Sequence, residues 1–401
     1  MKKLLLKSLF EKVTGDFRVV YWDGEDVTYG NVPPKIKIIF KKAPPLNFDF
    51  ADPMLFFGEA YVDEVFDFEG DLGEVIQIVE LNKNIFTAHG QGSKLALAFN
   101  TINSATNRWQ QKENIKHHYD LGNDFFSLWL DETMSYSCAY FNTIEDSLFQ
   151  AQMQKIHHIL RKLSLKPGER LLDIGSGWGW LILTAAQMYG VNALGLTLSE
   201  EQFSATRERI SKMGLADKVD VMLINYQDLD ETKYQFDKIV SVGMFEHVGK
   251  ENLPKYMKKI NRLLTPGGVS LLHTITATKE KPVNSWMEKY IFPGGYVPSL
   301  RETMWLLPEY DFHLLHVESL RMHYAATLDR WYVNFGKHID EIEQKFGKRF
   351  VRMWSIYLRG CAASFRTSGL NIHQLLFSKG LNNSLPLTFN HLYTDRLETL
   401  S

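Results

Sequence analysis

From about residue 166 onward, apolar runs of four to seven residues alternate with longer stretches in which apolar positions recur every three or four residues. Short continuous apolar runs bounded by Gly, Pro and Asp read as buried strands, and the 3.6-residue spacing reads as amphipathic helix. The pattern predicts strands at Leu171–Ile174, Val191–Leu196, Val219–Ile224, Phe236–Val242 and Gly268–Thr274. Helices are predicted at Leu181–Met188, Ser199–Met213 and Leu253–Leu264. Strand and helix in alternation at this spacing imply a mostly parallel, doubly wound α/β sheet. Residues 107–165 precede the first strand and read as helical, as a cap over the carboxyl edge of the sheet.

The first hundred residues have a different texture. Phe17–Trp22 and Lys35–Phe40 are short strand-like runs, with Asp23-Gly24 and Pro33-Pro34 as turn signals. This predicts a smaller α+β module over residues 1–105, and a catalytic unit over 106–401. Leu81–Thr101, with Gly90, Gln91, Gly92 and Ser93, is the expected linker. At the N-terminus, Leu5, Leu6, Leu9, Phe10 and Val13 fall on one helical face, with Lys3, Lys7 and Lys12 at its margins. Two readings stay open: a helix docked on its own module, or a basic amphipathic contact with an anionic membrane.

Composition narrows the function. A net charge of −2 over 401 residues offers no global attraction for nucleic acid. The cysteines, Cys138 and Cys361, are far apart and form no CxxC pattern, so neither a disulfide framework nor a zinc site is expected. No apolar run is long enough to cross a bilayer. The pairs His117-His118 and His157-His158 are adjacent rather than four apart, so one helix face cannot offer both to a metal, and none is assigned.

The strand at Leu171–Ile174 runs into Gly175-Ser176-Gly177-Trp178-Gly179. Glycines at a strand-to-helix turn let the backbone bend sharply and approach a ligand. Asp173, two residues before the first glycine, can hold an amino group. The GxGxxG spacing of dinucleotide enzymes is absent because Trp stands at 180, and no Lys-Ser pair follows, which excludes a P-loop. These details favour S-adenosylmethionine as the ligand. Gln202, one turn into the next helix, replaces the acid that usually meets the ribose hydroxyls.

The chain resembles the cyclopropane-fatty-acyl-phospholipid synthases, in the wider family that includes the mycolic acid methyltransferases. The likeness rests on His118-Tyr119-Asp120-x-Gly122-Asn123-Asp124-Phe125-Phe126, Met134-Ser135-Tyr136-Ser137-Cys138-Ala139-Tyr140-Phe141 and the glycine loop. It continues through Gly195-Leu196-Thr197-Leu198-Ser199, Phe245-Glu246-His247-Val248-Gly249, His273-Thr274-Ile275 and Phe292-Pro293-Gly294-Gly295-Tyr296. The resemblance implies a Rossmann-like class I methyltransferase domain, with the first hundred residues as the extra lipid-docking domain of the phospholipid-modifying branch. It implies transfer of a methylene from S-adenosylmethionine to the cis double bond of a phospholipid acyl chain, closing a cyclopropane ring.

In that family a bound bicarbonate takes up the proton. Matched motif by motif, Cys138, Glu246, His273, Ile275 (through its backbone N–H) and Tyr324 hold it. Tyr136, Ser137, Asp173, Gly175, Gly177, Thr197, Leu198, Gln202, Asn225, Tyr226 and Gln227 surround the cofactor. Asn225 stands where the family has an acid, and Ser176 where it has a cysteine. By residue chemistry alone, Cys138 lacks an activating partner and fits a packing role. Trp286–Pro298, with Gly294-Gly295 as hinge, is expected to be a lid beside the acyl tunnel.

The expectation is a cytoplasmic enzyme visiting the inner membrane face peripherally, with unsaturated phospholipid as partner, no nucleic acid, and a homodimer left open. Two rivals stand: a methyltransferase of the same fold making methyl-branched acids or methylating a small amine, and a lipid carrier without catalysis.

Overall fold

The computed structural model describes residues 2–44, 52–82, 121–280 and 283–393. Most of the expected linker, the motif residues His118, Tyr119 and Asp120, and the start of the expected cap lie outside the described residues. The chain forms two compact units, and each draws on three stretches of sequence. The first comprises Met1–Asn107, Pro282–Gly294 and Tyr324–Leu370; the second comprises Arg108–Lys281, Gly295–His323 and Asn371–Ser401.

The second unit is built on a seven-stranded sheet. Its strands are β5 (Arg170–Ile174), β6 (Asn192–Thr197), β7 (Val219–Leu223), β8 (Phe236–Val242), β9 (Leu264–Ala277), β10 (Phe312–Ser319) and β11 (Leu370–Lys379). The order is β10-β11-β9-β8-β5-β6-β7. From β9 to β7 the pairs are parallel, and β10 pairs antiparallel with β11. Parallel strands covered on both faces must be apolar throughout, and β5 and β8 are buried along nearly their whole length.

Two apolar layers flank this sheet. On one side Leu172, Ile239 and Leu272 join Met257, Ile260 and Leu263 of the following helix, Leu253–Leu263. On the other, Leu171, Val240 and Leu271 join Ile156, Ile159 and Leu163 from α5 (Leu148–Leu163) and Ile182 from α6 (Trp180–Tyr189). Strand order reverses beside β5, which sends α6 and the helix after β8 to opposite faces and opens a crevice at the carboxyl ends.

The segment before β5 is less helical than its apolar spacing suggests. α4 (Asn123–Ser127) and α5 are helices, but residues 128–147 are largely irregular. Short polar side chains there bond their own backbone and compete with helix: Thr133 N–H donates to Asp131 (3.0 Å), Ser135 N–H to Thr133 Oγ1 (3.2 Å), and Thr143 N–H to Asp146 (3.0 Å). α5 then starts cleanly on a capping box between Ser147 and Gln150.

The first unit carries a four-stranded sheet of β1 (Phe17–Val20), β2 (Asp26–Tyr29), β3 (Ile36–Phe40) and β4 (Phe66–Glu69), in the order β2-β1-β3-β4. Leu6 and Phe10 of α1 (Lys2–Phe10) are buried, whereas Leu4 and Leu5 are exposed. Lys3 pairs with Asp23 and Glu25, and Lys7 with Glu25, so those two lysines are already neutralised within the unit. α3 (Leu72–Leu81) packs Leu72 and Ile76 on Ala363 of the long helix Lys348–Thr367. Arg352 of that helix stacks on Tyr61, 3.8 Å from the ring centre, and donates to the Tyr61 carbonyl at 2.7 Å. Trp286, expected in a lipid-facing lid, is buried here at 5 % exposure; a Cβ on Gly58 would stand 2.2 Å from its ring.

Candidate active site

The glycine loop after β5 turns as its sequence requires. Gly175 and Gly177 adopt φ values of +83° and +54°, a region that side-chain-bearing residues rarely enter. The amides of Gly175 and Ser176 donate to the Leu196 carbonyl at 3.0 and 2.9 Å, tying the loop to β6. Arg209 holds the far side through the Trp178 carbonyl (2.8 Å), and the Trp178 indole donates to Asn123 (3.1 Å).

Beneath this loop lies a cavity of about 170 Å³. Its wall includes Tyr136, Ser137, Asp173, Gly175, Gly177, Thr197, Leu198, Gln202, Asn225 and Tyr226. Of the residues expected around a cofactor, Gln227 alone is off the wall; its side-chain amide faces the Tyr226 hydroxyl at 3.3 Å. Thr197 Oγ1 donates to Gln202 Oε1 (2.7 Å), which fixes the Gln202 amide. Asn225 Oδ1 is engaged in capping a short turn, accepting from Gln227 N–H at 2.9 Å.

The charges of the cavity are unusual. Asp173 is 3 % exposed, its Oδ1 has no hydrogen-bond partner among the described residues, and burial pushes its carboxyl up to about 7. Lys155 of α5, which the sequence reading passed over, also lines the wall; it is 4 % exposed and burial brings it down to about 8. His247 lines the wall too, and burial lowers it to about 4, so it is neutral near pH 7.

Glu246, His273 and Ile275 gather at the carboxyl ends of β8 and β9. β9 places His273 opposite Val242, and the His273 carbonyl accepts from Gly243 N–H at 2.9 Å. The chain then turns through Phe245–His247, and the Ile275 amide donates to Glu246 Oε1 at 2.6 Å. Glu246 Oε2 is sealed from solvent with no partner among the described residues, and burial pushes the carboxyl up to about 7. The Ile275 N–H, expected to meet the anion directly, is engaged by Glu246 in this structure.

His273 is fully buried. Gln374 of β11 offers its amide N–H to His273 Nδ1 at 3.0 Å, which assigns the ring proton to Nε2, and Nε2 has no partner among the described residues. Burial holds His273 far below the usual histidine range, so it is a neutral donor. Behind it the Gln374 carbonyl accepts from Lys162 Nζ (2.7 Å), and Lys162 pairs with Glu318, which also accepts from His158 Nε2 (2.6 Å). Burial would raise Glu318, but the His158 hydrogen bond and the Lys162 charge hold it near 2.

Cys138 is buried and its thiol donates to the Ala139 carbonyl (3.2 Å). Tyr324 belongs to the first unit, where its ring packs on Phe365 at 4.7 Å and on Trp331 at 6.1 Å. Gln374, Lys162 and Glu318 escaped the sequence reading. Their one signal is that Gln152, Lys155 and Lys162 occupy the apolar stripe of α5, where burial demands a partner.

Comparison with known proteins gives the same picture. The profile of the "Mycolic acid cyclopropane synthetase" family matches residues 106–375, and a "Domain of unknown function (DUF7884)" matches 3–91. A "Probable fatty acid methyltransferase" of Pseudomonas putida is 37% identical over 94% of this chain and 96% of its own length. The "Cyclopropane-fatty-acyl-phospholipid synthase" of Escherichia coli is 43% identical over 67% of this chain and 69% of its own. Among solved structures, the mycolic acid cyclopropane synthase CmaA1, "complexed with SAH and CTAB", superposes with a TM-score of 0.63 at 35% identity, covering 67% of this chain and 98% of that one. The cyclopropane synthase MmaA2 of Mycobacterium tuberculosis gives 0.63 at 34% identity over the same shares. Glycine loop, strand order and these relatives agree: the chain belongs to the mycolic acid cyclopropane synthetase family and is one of its S-adenosylmethionine-dependent methyltransferases with the class I Rossmann-like fold.

Proposed function

We propose that the protein transfers a methylene group from S-adenosylmethionine to cis double bonds in the acyl chains of membrane phospholipids, forming cyclopropanes. The alkene π electrons form a bond to the sulfonium methyl, the methyl–sulfur bond breaks, and S-adenosylhomocysteine leaves. The cation left on the neighbouring carbon closes onto the new methyl as that methyl loses a proton. An alkene is a weak nucleophile, so the site must align it and exclude water.

The observation that carries this reading is the pair of buried, unspent groups at the ends of β8 and β9: Glu246 Oε2 and the His273 Nε2–H. The same two atoms fit an oxyanion of bicarbonate type. His273 can only donate there, and Glu246, with its carboxyl raised to about 7, can also donate when protonated. Bicarbonate, when bound, supplies the acceptor for the departing proton. Glu246 and His273 would hold it, and Ile275 would act through Glu246.

The likeness to Escherichia coli's cyclopropane-fatty-acyl-phospholipid synthase supports phospholipid as substrate. The full-length likeness to a probable fatty acid methyltransferase favours one second reading, in which the methylated carbocation loses a proton from an adjacent chain carbon instead of from the new methyl and leaves a methylated, unsaturated chain.

Mass alone does not separate these isomeric products. Purified protein is incubated with S-adenosylmethionine and vesicles of cis-unsaturated phospholipid, and the recovered acyl chains are read by mass and proton NMR. A gain of one methylene per double bond with high-field ring protons is expected. Olefinic methyl signals would favour the second reading, and unchanged lipid would refute both.

A further inference from the structure

Lys155 presents the cavity with an ammonium that Asp131 and Asp173 favour from a distance. Its ammonium sits at 4 % exposure on the buried stripe of α5 and lines the same wall as Asp173. Of its three N–H donors, one goes to Ser137 Oγ at 2.9 Å, and no carboxylate lies in ion-pair contact with it among the described residues. An ammonium taken from water into such a place costs several kcal/mol unless an anion meets it. Asp173 is its mirror image, a buried carboxyl whose Oδ1 has no partner among the described residues. A cation and a carboxyl on a single cavity wall, neither in ion-pair contact among the described residues, form a mould for a zwitterion.

We infer that Lys155, with Ser137, binds the carboxylate of the methionyl end of the nucleoside cofactor while Asp173 takes its α-ammonium. This rests on the reading that the cavity holds an S-adenosyl ligand. Lys155 thus becomes the specificity-determining residue for the amino-acid end, selecting ligands that carry a carboxylate over nucleosides that carry only an amine or a thioether. Ser137 orients the ammonium: its hydroxyl accepts from Nζ and keeps its own proton for a carboxylate oxygen. Gln152, one turn earlier, holds the Ser137 carbonyl at 2.9 Å and so anchors the strip that carries this hydroxyl.

The test compares two probes by isothermal calorimetry: S-adenosylhomocysteine, and its decarboxylated analogue 5′-deoxy-5′-(3-aminopropylthio)adenosine. Wild-type protein is expected to prefer S-adenosylhomocysteine by about 10- to 100-fold, the worth of a hydrogen-bonded charge pair. In K155M, and in K155Q as a second neutral variant, that preference should shrink at least about tenfold, through loss of S-adenosylhomocysteine affinity with the analogue nearly unaffected. S137A, which keeps the cation, should retain most of the preference. If the wild type binds neither probe, the cofactor reading of the cavity falls, and this inference with it. If the wild type discriminates and both Lys155 variants discriminate equally well, the carboxylate is held elsewhere and the inference alone is overturned. It is overturned as well if the variants bind normally but need more added bicarbonate for turnover, for Lys155 would then serve that second anion.

Discussion

Lys155 and Lys162 stand about two turns apart on one face of α5, both buried, yet their surroundings differ completely. Lys162 meets the Glu318 carboxylate and the Gln374 carbonyl, and Glu318 in turn accepts from His158. Among the described residues, Lys155 meets a single hydroxyl. The contrast separates two uses of a buried charge. A fully answered one fixes neighbouring geometry, here the orientation of Gln374 and through it the ring proton of His273. A half-answered one marks the place of a ligand.

The comparison can be broken most forcefully at the answered lysine. K162M leaves the Glu318 carboxylate without its lysine ion pair and should cost about 3–5 kcal/mol of stability in chemical denaturation. K155M should leave stability unchanged or higher, since it removes a cation with no carboxylate in contact. Equal losses for the two would erase the distinction. E246Q comes next. Turnover should fall by about 10²- to 10³-fold, roughly 3–4 kcal/mol of barrier, while calorimetric affinity for S-adenosylhomocysteine stays within a factor of about two. Near-native turnover would remove Glu246 from the chemistry.

Smaller effects sharpen the same contrast. Q374L frees His273 to choose its tautomer, and a fall in turnover of about tenfold with little change in cofactor affinity is expected. Affinity for S-adenosylhomocysteine should be bell-shaped in pH. The Asp173 carboxyl, raised to about 7, is protonated and lost as the ammonium's partner below that value. The Lys155 ammonium, lowered to about 8, loses its charge above that value. Asp131, Cys138, His247 and His273 are other titratable groups that share this neighbourhood. A flat profile from pH 5.5 to 9 would count against both groups.

D173N gives the smallest shift. A carboxyl whose folded value lies above its unfolded one weakens the fold as pH rises from the unfolded value to about 7, and the penalty is complete above that. The amide should therefore raise Tm at pH 8 by roughly 2–4 °C while cofactor binding is lost.

Much of the second unit could be read from the chain because its strands are short, apolar and bounded by glycine. Phe236–Val242 matches the observed β8 residue for residue, and Leu253–Leu264 the following helix to within one position. The glycine loop announced its turn, and the residues named around the cofactor, Gln227 excepted, stand on the cavity wall. The charged residues that face that wall from α5 were hidden by their spacing, since Lys155 in isolation looks like any solvated lysine. Burial is a property of three dimensions, and only a stripe count across Gln152, Lys155, Ile159 and Lys162 would have exposed it. Residues 128–147 misled for the opposite reason: apolar spacing suggested helix, but Asp131, Thr133 and Asp146 bond nearby amides and hold the chain irregular. Sequence also drew one boundary near residue 105, whereas Pro282–Gly294 and Tyr324–Leu370 group with the N-terminal residues.

That interleaving bears on how such a protein could be dissected or recombined. Leu72 and Ile76 press on Ala363, and Arg352 rests on Tyr61, so a fragment beginning at residue 106 carries half of an apolar seam and a guanidinium stripped of its aromatic seat. A chimera made by swapping the first hundred residues between relatives inherits the same mismatch unless the helix at Lys348–Thr367 travels with them. For this chain the natural unit of exchange is scattered along the gene rather than marked by a single cut.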